Sequence, residues 1–163
     1  MRAGILIMAT AAGMAALADA AAAEDKEPTA IVAIGGATEW ALPGPTSFGP
    51  SVSVEFTPIR NWLEIEIGAA TMFRRGVTEF ETDLLFKMPF TLSDTMEFMV
   101  GAGPSWSYTR QEGTKWGATF AFELMVWPGP ERKLGWFIEP TYTINQDSEK
   151  SLGVSVGLLI AIP

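Results

Sequence analysis

The chain has 163 residues, 48% of them hydrophobic, with 16 Gly, 11 Pro, no Cys and no His. Its 19 Asp and Glu against 11 Lys and Arg leave a formal charge of −8, so no basic face is available for nucleic acid. Without His or Cys there is no Ser-His-Asp or Cys-His catalytic arrangement, and no thiolate or imidazole metal site.

In chain order, residues 1–23 read as a secretory signal peptide. Arg2 forms a short positive region, Ala3 to Leu17 an apolar one, and Ala21 and Ala23 a small-x-small cleavage site, with cleavage after Ala20 as the alternative. Residues 24–163 then form one domain, and no later stretch is long and apolar enough for a membrane helix. What recurs is alternation of period two, the mark of strands. A first, Gly-interrupted strand is predicted around Thr29 to Trp40. The second carries Val52, Val54 and Phe56, and the third Leu63, Ile65, Ile67 and Ala69. The fourth carries Phe80, Leu84, Phe86, Met88 and Phe90; the fifth Met96, Phe98, Val100, Ala102, Trp106 and Tyr108. Phe120 to Val126, Leu134 to Tyr142 and Leu152 to Ile162 complete a set of eight. Turn residues separate them, among them Pro43-Gly44-Pro45, Arg74-Arg75-Gly76, Gln111-Glu112-Gly113 and Pro128-Gly129-Pro130.

The face opposite the apolar one is acidic. It carries Glu39, Glu55, Glu64, Glu66, Glu79, Glu81, Asp83, Glu97, Glu123 and Glu139, with Lys87 as its one evident base. Registers drawn from the turns set Glu55 against Glu64, Glu66 against Asp83, and Glu123 against Glu139, as well as Tyr108 against Trp116 on the apolar face. Like charges in opposition are costly in a sheet, so these pairs share a proton, recruit a base such as Lys87 or Arg60, or hold a cation such as Ca²⁺ or Mg²⁺. Arg74, Arg75, Arg110 and Lys115 gather toward one rim.

Two architectures accommodate eight such strands: a transmembrane barrel with the apolar face outward, or a lipocalin-like soluble barrel with that face inward around an apolar ligand. Aromatic residues at the strand ends favour the first. Trp40, Trp106, Tyr108, Trp116 and Tyr142 fall near one rim, and Phe56, Trp62, Phe90, Trp127 and Trp136 near the other.

With its signal peptide, dyad-repeat strands such as Leu63-Glu64-Ile65-Glu66-Ile67 and Gly153-Val154-Ser155-Val156-Gly157-Leu158, and interior Gly101 and Gly103, the chain resembles the small eight-stranded outer-membrane β-barrels of Gram-negative bacteria, of the OmpA transmembrane-domain and OmpX kind. It differs in its last residues, Ala161-Ile162-Pro163, where members carry an aromatic residue. The resemblance implies an all-β, up-and-down antiparallel transmembrane barrel in the outer membrane, with termini in the periplasm and short outward loops near 41–50, 73–76, 109–114 and 145–150. It implies a non-enzymatic, structural role in the envelope and no cofactor; the inward carboxylates themselves predict a polar, acidic and mostly closed lumen, with a weak cation-preferring pore as the alternative. Barrel enzymes that remodel lipid A depend on His, which this chain lacks. The partners implied are outer-membrane lipids, lipopolysaccharide with Arg74, Arg75, Arg110 and Lys115 as contacts, periplasmic chaperones and the barrel-assembly machinery.

Overall fold

The computed structural model describes Pro28, residues 30–129 and residues 131–163; the signal peptide read in residues 1–23 lies outside the described residues. Eight strands run in order: β1 (Ala30–Leu42), β2 (Thr46–Ile59), β3 (Leu63–Arg74), β4 (Val77–Ser93), β5 (Met96–Thr109), β6 (Gly113–Val126), β7 (Leu134–Asn145) and β8 (Lys150–Ile162). Each is antiparallel to its sequence neighbours, and β1 pairs with β8, so the sheet closes into an up-and-down barrel. Closure removes every free sheet edge, which is what allows strands to cross lipid without unpaired backbone groups.

The side-chain period of two decides which face meets the surroundings. Each strand turns an apolar side chain outward: Ile34, Val52, Ile67, Phe86, Val100, Phe122, Ile138 and Val156 are all exposed. Phe48 is the extreme, at 64%. An apolar surface that runs around the whole barrel has no place on a water-soluble domain, and its orientation is opposite to that of a lipocalin-like barrel. Exposed aromatics cluster at both ends of the strands. Trp40, Phe48, Phe80, Tyr108 and Trp116 stand toward the end remote from the chain termini, the distal end, and Trp62, Phe90 and Trp136 toward the proximal end. Phe90 and Phe98 pack across β4 and β5, with ring centroids 6.4 Å apart.

Trp127 departs from the expected aromatic rim. One residue beyond outward-facing Val126, it has the inward parity of Met125, and it is only 1% exposed. There it joins Ala33, Met99, Met125, Phe137 and Leu159, with Ile31 and Ala161 against them, in an apolar plug inside the proximal half of the barrel.

The connections are shorter than expected. At the distal end they comprise residues 43–45, 75–76, 110–112 and 146–149. Arg74 pairs directly with Val77, leaving Arg75 and Gly76 as a two-residue turn in which Gly76 adopts a φ of 76°, a conformation natural to a residue without a Cβ. Because β4 begins at Val77, Glu66 lies opposite Leu85, and Asp83 opposite Gly68. The same β3–β4 register sets Glu64 opposite Lys87, and at the proximal end an irregularity between Phe56 and Ile59 displaces the β2–β3 register, so Glu55 faces Glu66. Across β5 and β6, Trp106 pairs with Trp116, and Tyr108 with Thr114; the two indoles lie 5.5 Å apart. All of these are shifts by two residues, which move a partner without changing its face. The ladder on either side of Glu123, Ala121 with Thr141 and Leu124 with Ile138, sets it level with Glu139.

Candidate lumenal site

An eight-stranded barrel has an interior only just wide enough for side chains, so inward residues from strands far apart in sequence meet across it. Lys87 is where they meet. Its ammonium, on β4, contacts Glu55 on β2 at 2.9 Å, Glu66 on β3, Glu123 on β6 at 2.5 Å and Glu139 on β7 at 2.5 Å. Lys87, Glu55 and Glu123 are each 1% exposed, and Glu66 and Glu139 are also buried. The cluster adjoins the apolar plug, since Met99 pairs with Glu123 and Ile31 with Glu55.

Backbone chemistry makes room for Lys87. Its cross-strand partner on β5 is Gly101, and a Cβ on that glycine would stand 2.5 Å from the Lys87 Cγ. The lysine stem therefore runs over a position that only glycine leaves open. We expect Gly101→Ala to displace the stem and loosen the cluster, costing about 1–3 kcal/mol as overpacking does. Chemical unfolding in phospholipid vesicles measures this, and an unchanged midpoint would show that the stem adjusts freely.

Glu39, Glu79, Glu81 and Asp83 stand on the distal side of the cluster, around a cavity of about 110 Å³ whose lining also includes Glu66, Glu139 and hydroxyls of Ser51, Ser53, Ser105 and Thr141. Asp83 Oδ1 is buried there without a hydrogen-bond partner. Glu64 and Glu97 instead border a smaller cavity of about 50 Å³ at the proximal mouth, together with Trp127 and Arg132. Arg132 is a base at the proximal mouth that the alternation does not reveal, because it belongs to the connection after β6. Its guanidinium bonds Glu97 at 3.1 Å and the Asp94 carbonyl at 3.3 Å. Beside it, fully exposed Glu131 has its pKa lowered by the hydrogen bond from Lys133 and by that ammonium's charge.

The four distal basic residues differ in placement. Arg75 and Arg110 are exposed in neighbouring turns, whereas Arg74 is partly buried at the end of β3. Lys115 is held by Glu112 at 3.1 Å and Glu149 at 2.9 Å, with Asp147 at 4.0 Å.

Apolar side chains facing out around a closed sheet, with charges gathered inside, define an eight-stranded transmembrane β-barrel. Among solved structures the fold is shared with small outer-membrane barrels. Neisserial surface protein A aligns over 82% of this chain and 96% of its own, with a TM-score of 0.63 and 12% identity. Ail, the attachment invasion locus protein of Yersinia pestis, aligns over 82% and 98%, with a TM-score of 0.58 and 12% identity. The N-terminal β-barrel domain of Pseudomonas aeruginosa OprF covers the same shares, with a TM-score of 0.56 and 12% identity. No family model matches the chain, and no curated protein does. At such identities the likeness speaks for the fold, and the lumen must be read from this chain's own residues.

Proposed function

We propose that the protein is a non-enzymatic outer-membrane barrel with a structural role in the envelope, its termini in the periplasm and its acidic lumen closed to steady flow. The observation that carries this reading is the filling of the barrel interior, with the Trp127 plug adjoining the Lys87 cluster. A hydrophobic constriction beside a ring of charge blocks ions by exclusion of water and by electrostatic trapping. The excess of lumenal carboxylates gives any residual leak a preference for cations. Distal connections of two to four residues leave little surface for a folded partner. Delivery would follow the route of other exported barrels, through periplasmic chaperones and the barrel-assembly machinery.

Planar-bilayer recording tests the lumen. Wild type is expected to show no sustained open state, and Trp127→Ala, which removes the largest side chain of the proximal plug, to raise a cation-preferring conductance. Steady conductance in wild type, or anion preference in either protein, would contradict the reading. Location is tested separately, by membrane fractionation and by a gel shift on boiling in SDS.

The exposed Arg75 and Arg110 supply planar donors suited to phosphate, and in this reading they contact lipopolysaccharide. Replacing both with Ala should reduce the lipopolysaccharide that co-purifies with the barrel. Equal retention counts against the contact.

A further inference from the structure

The distal half of the lumen holds carboxylates that the residues around them do not balance. Glu79, Glu81 and Asp83 take three successive inward positions on β4, and Glu39 on β1 lies within electrostatic reach of Glu79 and Glu81. All four line the distal cavity of about 110 Å³, whose described lining includes no Lys or Arg. Arg74, the last inward position of β3, stands toward the rim, and one guanidinium against four carboxylates still leaves a formal charge of −3. Lys87 lies deeper and is already shared by Glu55, Glu66, Glu123 and Glu139.

Two of the four also have oxygens without partners. Glu81 lines the cavity and is almost wholly surrounded by protein, yet among the described residues it has neither a hydrogen bond nor an ion pair, and the charges facing it are those of Glu39, Glu79 and Asp83. Its cross-strand neighbours, Ala70 and Ser107, carry no charge. Asp83 meets the Gly68 backbone, but its Oδ1 is buried without a hydrogen-bond partner. Enclosed carboxylates in this condition are costly unless a cationic donor reaches them. Their spacing selects the donor. Positions two apart on a strand are separated by about 6.6 Å, and no three of these four carboxylates bring oxygens within 4.8 Å of one another. One bare metal ion therefore cannot gather them, whereas a molecule with a cationic group at each end reaches from one to the next. A water occupies about 10–15 Å³ of such a cavity, so its volume of about 110 Å³ holds several waters or a short aliphatic chain.

We propose that the distal lumen binds a short linear diammonium ion, one end at Glu81 and Asp83 and the other at Glu39 and Glu79, with its methylene stem along Ala37 and Ala70. Each ammonium brings three N–H donors, so the unpartnered oxygens of Glu81 and Asp83 gain charge-assisted hydrogen bonds. Entry is from the distal mouth, where connections of two to four residues are too short to fold over the opening. The ion stops at the Lys87 cluster, which fills the lumen beyond. The site rests on the reading of this chain as a membrane barrel with a polar lumen closed at its centre, so the test examines that reading separately.

Protein folded in nonionic detergent micelles, its fold verified by a gel migration that changes on boiling, is titrated calorimetrically at low salt with 1,4-diaminobutane. Butylamine serves as the single-ended comparison and Mg²⁺ as the metal one. One diamine per chain is expected, bound at least about tenfold more tightly than butylamine, because the second ammonium adds charge-assisted hydrogen bonds. The isosteric changes Glu81→Gln and Asp83→Asn, each checked by the same gel shift, should each weaken diamine binding by at least about tenfold, while Glu131→Gln at the proximal end should leave it unchanged. Folded wild type that takes up no diamine would overturn the proposal and leave protons as the balancing charge. Butylamine binding as tightly as the diamine would overturn it too, and so would Mg²⁺ binding that outcompetes the diamine and is itself lost in Glu81→Gln, which assigns the cavity to a hydrated metal ion. Binding undiminished by both Glu81→Gln and Asp83→Asn places the diamine elsewhere and also overturns it. Wild type that is soluble without detergent and shows no gel shift would overturn the membrane reading, and the site with it.

Discussion

Lys87→Met should be the most destabilising single substitution in the barrel interior. The methionine fills much of the lysine's volume but removes the one positive charge shared by Glu55, Glu66, Glu123 and Glu139. Taking one partner from a buried ion pair costs about 3–5 kcal/mol, because the remaining charge is left in a medium that cannot solvate it. Here four carboxylates lose their common partner at once, so the cost should reach at least the upper part of that range. Two comparisons isolate the cause. Lys133→Met removes a lysine whose side chain is 78% exposed and paired with exposed Glu131, and should stay within about 0.5 kcal/mol of wild type. Adding Glu66→Gln to Lys87→Met removes one of the stranded charges and should recover part of the loss, a coupling between neighbours that a double-mutant cycle reads directly. Unfolding in vesicles followed by tryptophan fluorescence measures all three. A Lys87→Met protein as stable as the Lys133→Met one would mean that the cluster is neutral without its lysine.

The interior position of Lys87 was legible in the sequence, and the company it keeps was not. Period-two alternation assigns every residue of a strand to a face, and that assignment survives a register shift of two, so the sequence puts Glu55, Glu64, Glu66 and Asp83 on the inward face while leaving their opposites two residues off. The differences originate at the turns. The irregularity between Phe56 and Ile59 and the two-residue Arg75-Gly76 connection each move the hairpin centre, and local composition does not reveal by how much. Trp127 shows the converse. Its parity with Met125 already pointed inward, but its size and its place at a strand end suggested a rim aromatic. The convergence of β2, β3, β4, β6 and β7 on one ammonium depends on how the sheet closes and staggers, a property of the whole barrel that no segment encodes alone. Arg132 lay beyond reach for a simpler reason: outside a strand there is no alternation to assign its direction.

The second large effect tests the outer surface and depends on depth. Val156 lies near the middle of β8, is 50% exposed and faces away from the lumen, and Ile162, at the proximal end of the same strand, is 43% exposed on the same face. Neither side chain is enclosed by protein, so replacing it with Arg removes little packing, and in water both changes would be nearly neutral. In a bilayer they separate. Arg at the midplane of a transmembrane barrel costs about 2–4 kcal/mol, and near the interface about 0–1, because there the guanidinium reaches headgroups and water. We therefore expect Val156→Arg to lower the unfolding free energy in phosphatidylcholine vesicles by about 2–4 kcal/mol and Ile162→Arg to leave it nearly unchanged. The comparison is internal to one strand and uses one introduced side chain, so differences in helix or sheet propensity cancel. It also distinguishes the two barrels that the sequence alone left open, since a soluble barrel has no midplane. Equal, small effects at both positions would mean that the apolar belt formed by Ile34, Val52, Ile67 and their counterparts on the other strands is covered by something other than lipid.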